Sequence, residues 1–125
     1  MKHLVIIDDC DQTLELFLDF LEEAKISVST FTDPKQAYKT MESNPPHLLV
    51  VDYVMPGIDG LEFIQAIREF DIYTGRVIMV SAKFIELKKK VANTIPNLEI
   101  LPKPIEFESI TRKIIDYLDA ESTNE

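Results

Sequence analysis

The chain has 125 residues, enough for one domain whose core needs no covalent staples. Hydrophobic residues make up 46%, yet the longest apolar runs are only a few residues long, too short for any helix that crosses a bilayer. A formal net charge of −9 argues against direct nucleic-acid binding, which needs clustered Lys and Arg, and the one cysteine excludes an internal disulfide.

In chain order, the opening MKHLVIIDDC carries one Lys and then acids after a short apolar run, without a small-residue cleavage site. It is not a signal peptide, so a soluble, cytoplasmic protein is expected. The run LVII (4–7) reads as the first strand and ends at Asp8 and Asp9. His3 and His47 precede apolar runs and are read as strand-edge residues. Cys10, with no Cys or His at ligand spacing, is read as a small packing residue. Leu14, Phe17, Leu18 and Leu21 recur at helical spacing and define the first helix. ISVSTF (26–31) is the second strand. Asp33-Pro34-Lys35-Gln36 then opens a helix with an acidic cap, proline at the first helical position and a capping-box spacing to Gln36.

LLVV (48–51) is the third strand, and it stops on a carboxylate, Asp52, although the turn residues Pro56, Gly57, Asp59 and Gly60 come only later. Asp59 and Glu62 repeat the capping-box spacing ahead of a helix carrying Leu61, Ile64 and Ile67. RVIMV (76–80) is the fourth strand, followed by Ser81. The segment KFIELKKKVANTI is the weakest helical pattern, closed by Asn93, Thr94 and Pro96, and its LKKK run is a solvated face. LEIL (98–101) is the fifth strand, with Lys103 just beyond it. Phe107, Ile110, Ile114 and Leu118 mark the last helix, and AESTNE forms a polar tail, giving a domain over 1–120 and a tail or linker start over 121–125.

Strand-helix units with short connections imply a parallel sheet covered on both faces, a three-layer α/β sandwich. Such sheets bind ligands at the carboxyl ends of their strands, and four of the five deliver a polar group there: Asp8 and Asp9, Asp52, Ser81, Lys103. If the first and third strands are neighbours, as in the flavodoxin-like order, three carboxylates share one crevice and call for a cation. Oxygen ligands with room for water suit Mg²⁺. Lys103 and Ser81 could then neutralise and hydrogen-bond a phosphoryl group in transfer. Each residue also has an ordinary use: helix cap for Asp8, Asp9 or Ser81, turn residue for Asp52, solvated charge for Lys103. That all five land on one edge favours the chemical reading.

The acid pair after the first strand, the pattern D-x-x-M-P-G-x-D-G from Asp52 to Gly60, the pair Ser81-Ala82 and the pair Lys103-Pro104 occur in order across nearly the whole chain. In this the sequence resembles the receiver domains of two-component response regulators. The resemblance implies a five-stranded sheet of order 2-1-3-4-5 with five helices and an Asp52 phosphorylated by a sensor histidine kinase or phosphotransfer protein. It implies Mg²⁺ bound directly by Asp9, Asp52 and the Val54 carbonyl and through water by Asp8. Ser81 and Lys103 would engage the phosphoryl group, across a cis bond from Lys103 to Pro104. Output would pass to an unidentified downstream protein, in the family by the face of the fourth helix, fifth strand and fifth helix. Such a protein promotes its own phosphorylation without being a turnover enzyme. Two departures stand out: Ile100 occupies a position often Tyr or Phe in the family, and IPNLE replaces its small Gly-Ala step.

Three other functions compete. A flavodoxin would want a phosphate loop rich in Gly, Ser and Thr where this chain has DDCDQT. An aspartate-nucleophile phosphatase would want an acid where Val54 stands. A receiver-like binding module that is never phosphorylated keeps the same acids and is separated only by phosphate uptake.

Overall fold

The computed structural model describes residues 1–91 and 93–123. Five strands alternate with five helices: β1 (Lys2–Ile7), α1 (Asp11–Phe20), β2 (Ile26–Phe31), α2 (Pro34–Ser43), β3 (Leu48–Asp52), α3 (Gly60–Glu69), β4 (Val77–Ser81), α4 (Phe84–Val91), β5 (Leu98–Pro102) and α5 (Phe107–Thr123). The strands form one parallel sheet of order β2-β1-β3-β4-β5. The expected tail over 121–125 is helical through Thr123, and its last two residues lie outside the described ones.

The apolar runs explain the layers. Alternate residues of a strand point to opposite faces, so Val5, Ile7, Leu49, Val51, Val77 and Met79 pack with residues of α2, α3 and α4. Leu4, Ile6, Leu48, Val50, Ile78 and Val80 pack with residues of α1 and α5. Each such side chain contributes about 1.5–3 kcal/mol when withdrawn from water. On α1 the inward face is Leu14, Phe17 and Leu21, while Leu18, expected with them, is 42% exposed. A strip of three lies nearer the centre of the buried face than Leu18 does. Phe17 and Phe20 both meet Phe107 of α5, with ring centroids 5.0 and 5.6 Å apart.

The helix starts follow their caps. Asp59 and Glu62 form the expected capping box at α3, each side chain accepting from the other's backbone amide. At α2 the Asp33 carboxylate accepts from Lys35 N instead, a shorter turn than the box expected with Gln36. The segment of weakest helical pattern yields the shortest helix, α4, with Leu87 buried and Lys88, Lys89 and Lys90 exposed. Asn93 and Asn97, both at positive φ, turn the chain from it into β5.

The histidines are more than edge residues. His3 is buried in β1, where its amide donates to His47 Nδ1 and its Nε2 meets Ser29 Oγ of β2 at 2.8 Å. The pair ties three neighbouring strands at the end of the sheet remote from Asp52.

Candidate functional site

The parallel register brings the strand ends level: Ile7 pairs with Val51, Asp52 with Val80, and Ser81 with Pro102. Asp8 and Asp9 leave β1 beside Asp52, the last residue of β3, as the flavodoxin-like order requires. One carboxylate oxygen from each of Asp8, Asp9 and Asp52 lies within 4.8 Å of the others. Two like charges 4 Å apart repel by about 4 kcal/mol at the dielectric of a protein surface. The triad therefore favours a bound cation, and an all-oxygen donor set with an exposed member, Asp9, fits a hard divalent one.

Asp52 is 4% exposed, and its two oxygens differ. Oδ2 accepts from Lys103 Nζ at 3.0 Å. Oδ1 is buried with no hydrogen-bond partner among the described residues. A buried carboxylate oxygen without a donor is costly, so this atom is suited to accept from a cation or a donor beside it. Asp8 is buried and spends its own Oδ1 on the Cys10 amide at 2.9 Å. Burial pushes its carboxyl above the usual range, the Cys10 amide opposes this, and the charge of Asp52 adds to it.

Ser81, 2% exposed, accepts from Lys83 N at 2.8 Å through its Oγ, which leaves its O–H to donate. Ser81 thus forms a short turn ahead of α4, which begins only at Phe84, instead of the helix cap of its ordinary reading, and its O–H faces no competing use in that turn. Lys103 follows β5, its amide bonded to Ser81 O at 3.0 Å, and the bond to Pro104 is cis as expected. Val54 sits on the loop after Asp52 with 63% of its surface exposed, and Lys83 is exposed. Ile100 is buried in the cluster that half-buried Phe84 packs against.

One residue behaves differently from expectation. Cys10 is exposed at the N-cap of α1, where its backbone is extended and its side chain makes no capping hydrogen bond. Thr13, foremost by a side-chain hydrogen bond, holds its thiol below the ordinary value. Gly60, directly after the expected cap Asp59, is the first residue of α3 and donates its amide to Tyr53 O at 2.7 Å, closing the loop that begins at Asp52. Its signal in the sequence was a glycine inside a helix, where Ala would be favoured by 0.5–1 kcal/mol or roughly so, directly after a complete capping box.

Residues 4–115 match the sequence profile of the response regulator receiver domain. The chain belongs to the response regulator receiver domain family. Among curated relatives, it is 25% identical over 113 residues to the alkaline phosphatase synthesis transcriptional regulatory protein PhoP of Bacillus subtilis, covering 90% of this chain and 47% of that protein. It is 26% identical over 115 residues to the response regulator receiver protein CpdR of Brucella abortus, covering 91% and 94%. The receiver spans about half the length of the first of these and nearly all of the second. The receiver domain of the Francisella response regulator 1452 superposes with a TM-score of 0.84 at 21% identity, covering 97% of this chain and 99% of that one. The chemotaxis response regulator CheY4 of Vibrio cholerae gives 0.81 at 22%, covering 94% and 99%. These structures bear on the fold, and it is that of a receiver. The described residues of this receiver include no helix long and apolar enough to cross a membrane.

Proposed function

We propose that Asp52 is the phosphoacceptor of this receiver. The observation that supports it best is the contrast between its oxygens: Lys103 holds Oδ2, while the buried Oδ1 lacks a partner beside Asp8 and Asp9. In the reaction a carboxylate oxygen of Asp52 attacks the phosphorus of a kinase phosphohistidine. An O–P bond forms as the P–N bond breaks, and the imidazole leaves with the electron pair and takes up a proton. Mg²⁺ is the cation proposed, held by Asp9, Asp52 and the Val54 carbonyl directly and by Asp8 through water, and it would supply positive charge to the phosphoryl oxygens. Lys103 Nζ gives up Asp52 Oδ2 for a phosphoryl oxygen, and the Ser81 hydroxyl donates to another.

The partners in this reading are a sensor histidine kinase or phosphotransfer protein upstream and a protein that recognises the phosphorylated form downstream. Both the cytoplasmic setting and the absence of turnover on a separate substrate belong to the same proposal. With acetyl phosphate and Mg²⁺ replacing the kinase, acetate becomes the leaving group. Intact-mass measurement should then show one added phosphoryl group, absent with EDTA and absent in Asp52→Asn. Uptake by Asp52→Asn at the parent's level would remove Asp52 from this role. No uptake by the parent would favour the non-phosphorylated binding module.

A further inference from the structure

A methyl group built on Gly60 would lie 2.8 Å from the carbonyl oxygen of Asp52, 2.9 Å from Met79 Sδ and 3.0 Å from Tyr53 Cα. Ordinary contact between such atoms needs roughly 3.5–4.0 Å, so no side chain fits without a shift. Of the three neighbours, Met79 can yield, because a thioether chain has several rotors. The other two are backbone atoms of the nucleophile and its successor, and they cannot yield alone. Tyr53 is already fixed on both sides, its amide donating to Val80 O at 3.0 Å and its carbonyl accepting from Gly60 N at 2.7 Å. The capping box of Asp59 and Glu62 holds the α3 terminus rigid behind Gly60. Two rigid bodies, the tip of β3 and the first turn of α3, therefore meet at a point where only a hydrogen fits.

From this we infer that Gly60 is a positioning residue for the phosphoryl transfer, setting the backbone of Asp52 and the loop that carries the Val54 carbonyl. The inference rests on the reading of Asp52 as phosphoacceptor. A side chain at 60 would push the α3 terminus away from β3, turn the Asp52 carboxylate out of line with Lys103, and open the 53–59 loop. The chemistry residues would all remain present, and the damage would lie in their alignment, which catalysis by positioning does not tolerate.

The test uses Gly60→Ala, with Ile114→Val as a core change on the opposite face of the sheet. Phosphorylation by acetyl phosphate is followed at saturating Mg²⁺, and Mg²⁺ binding itself is measured by calorimetric titration without phosphodonor. Gly60→Ala should slow phosphorylation by about tenfold or more, a barrier change of about 1.4 kcal/mol, and weaken Mg²⁺ binding. Ile114→Val should leave both at parental values. Because the methyl also meets Met79, Gly60→Ala is combined with Met79→Val in a double-mutant cycle. Stability should recover relative to the sum of the single changes, while the phosphorylation rate stays low. A rate that recovers with stability would make Gly60 a packing residue and overturn the inference, as would parental rate and Mg²⁺ affinity in Gly60→Ala. Failure of the parent to take up phosphate overturns instead the role of Asp52.

Discussion

At the scale of single residues, Asp8 and Asp9 show how neighbours with one side-chain chemistry come to unequal duties. Asp8 is buried and gives one oxygen to the Cys10 amide, whereas Asp9 is exposed with its carboxylate available to a cation. Asp9→Ala should therefore weaken Mg²⁺ binding more than Asp8→Ala, since inner-sphere ligands dominate affinity; equal losses in a titration would erase the distinction. In the proposed reaction Val54 bears on a different quantity. Its exposed, branched apolar side chain can neither orient nor hydrogen-bond a water attacking an aspartyl phosphate, and Lys83 brings donors but no acceptor for such a water. Val54→Asn should speed autodephosphorylation by about tenfold, or about 1.4 kcal/mol of barrier. The readout is the decay of purified phosphoprotein in Mg²⁺, and decay no faster than the parent's would show that Val54 does not govern that water. The candidate residues stood out because each follows an apolar run and all of them fall on one edge of the sheet, which their separate ordinary uses as caps, turns or solvated charges would not require. Which oxygen of Asp52 would lack a partner was not legible, because that depends on the reach of Lys103 across 51 residues of sequence.

At the scale of elements, strands and caps followed from pattern, since period and cap chemistry are local. The exceptions lie where distant segments decide: Leu18 turns outward, and His3 enters the sheet by bonding residues of two other segments. That histidine cluster carries its own pH dependence. Burial first, and then the charge of His47, hold the His3 pKa below its ordinary 6.5. A histidine with a depressed folded pKa contributes stability that is present above the unfolded value and lost as pH falls through the window below it. The melting temperature should fall as pH drops below about 6.5. His3→Gln with His47→Gln should flatten that slope, and an unchanged slope would mean that the titrating group lies elsewhere.

For the whole molecule, the fold class was readable because fully buried parallel strands cannot be mistaken for half-exposed ones, and β1, β3 and β4 are almost wholly buried. The strand order needed the acids as well as the strands, since only the neighbouring of β1 and β3 gathers three carboxylates. In a chain of net charge −9 that gathering opposes folding until a cation arrives. Mg²⁺ should accordingly raise the melting temperature, with saturation at a hundred times its dissociation constant worth about 2.7 kcal/mol. Thermal melts with Mg²⁺ and with EDTA test this, and Asp9→Ala should lose most of the gain. Equal melting of the parent in both buffers would mean that no cation binds the folded state selectively.

The level strand ends have one more consequence, for the protein during its synthesis. Asp8 leaves the ribosome well before Lys103, and Asp52 meets its ion-pair partner only after β5 has docked beside β4. A nascent chain cut short before that point displays every acid of the site and none of its alignment. With Asp52 in its proposed role, a chain that lacks β5 and Lys103 would stay silent to its kinase without any separate inspection.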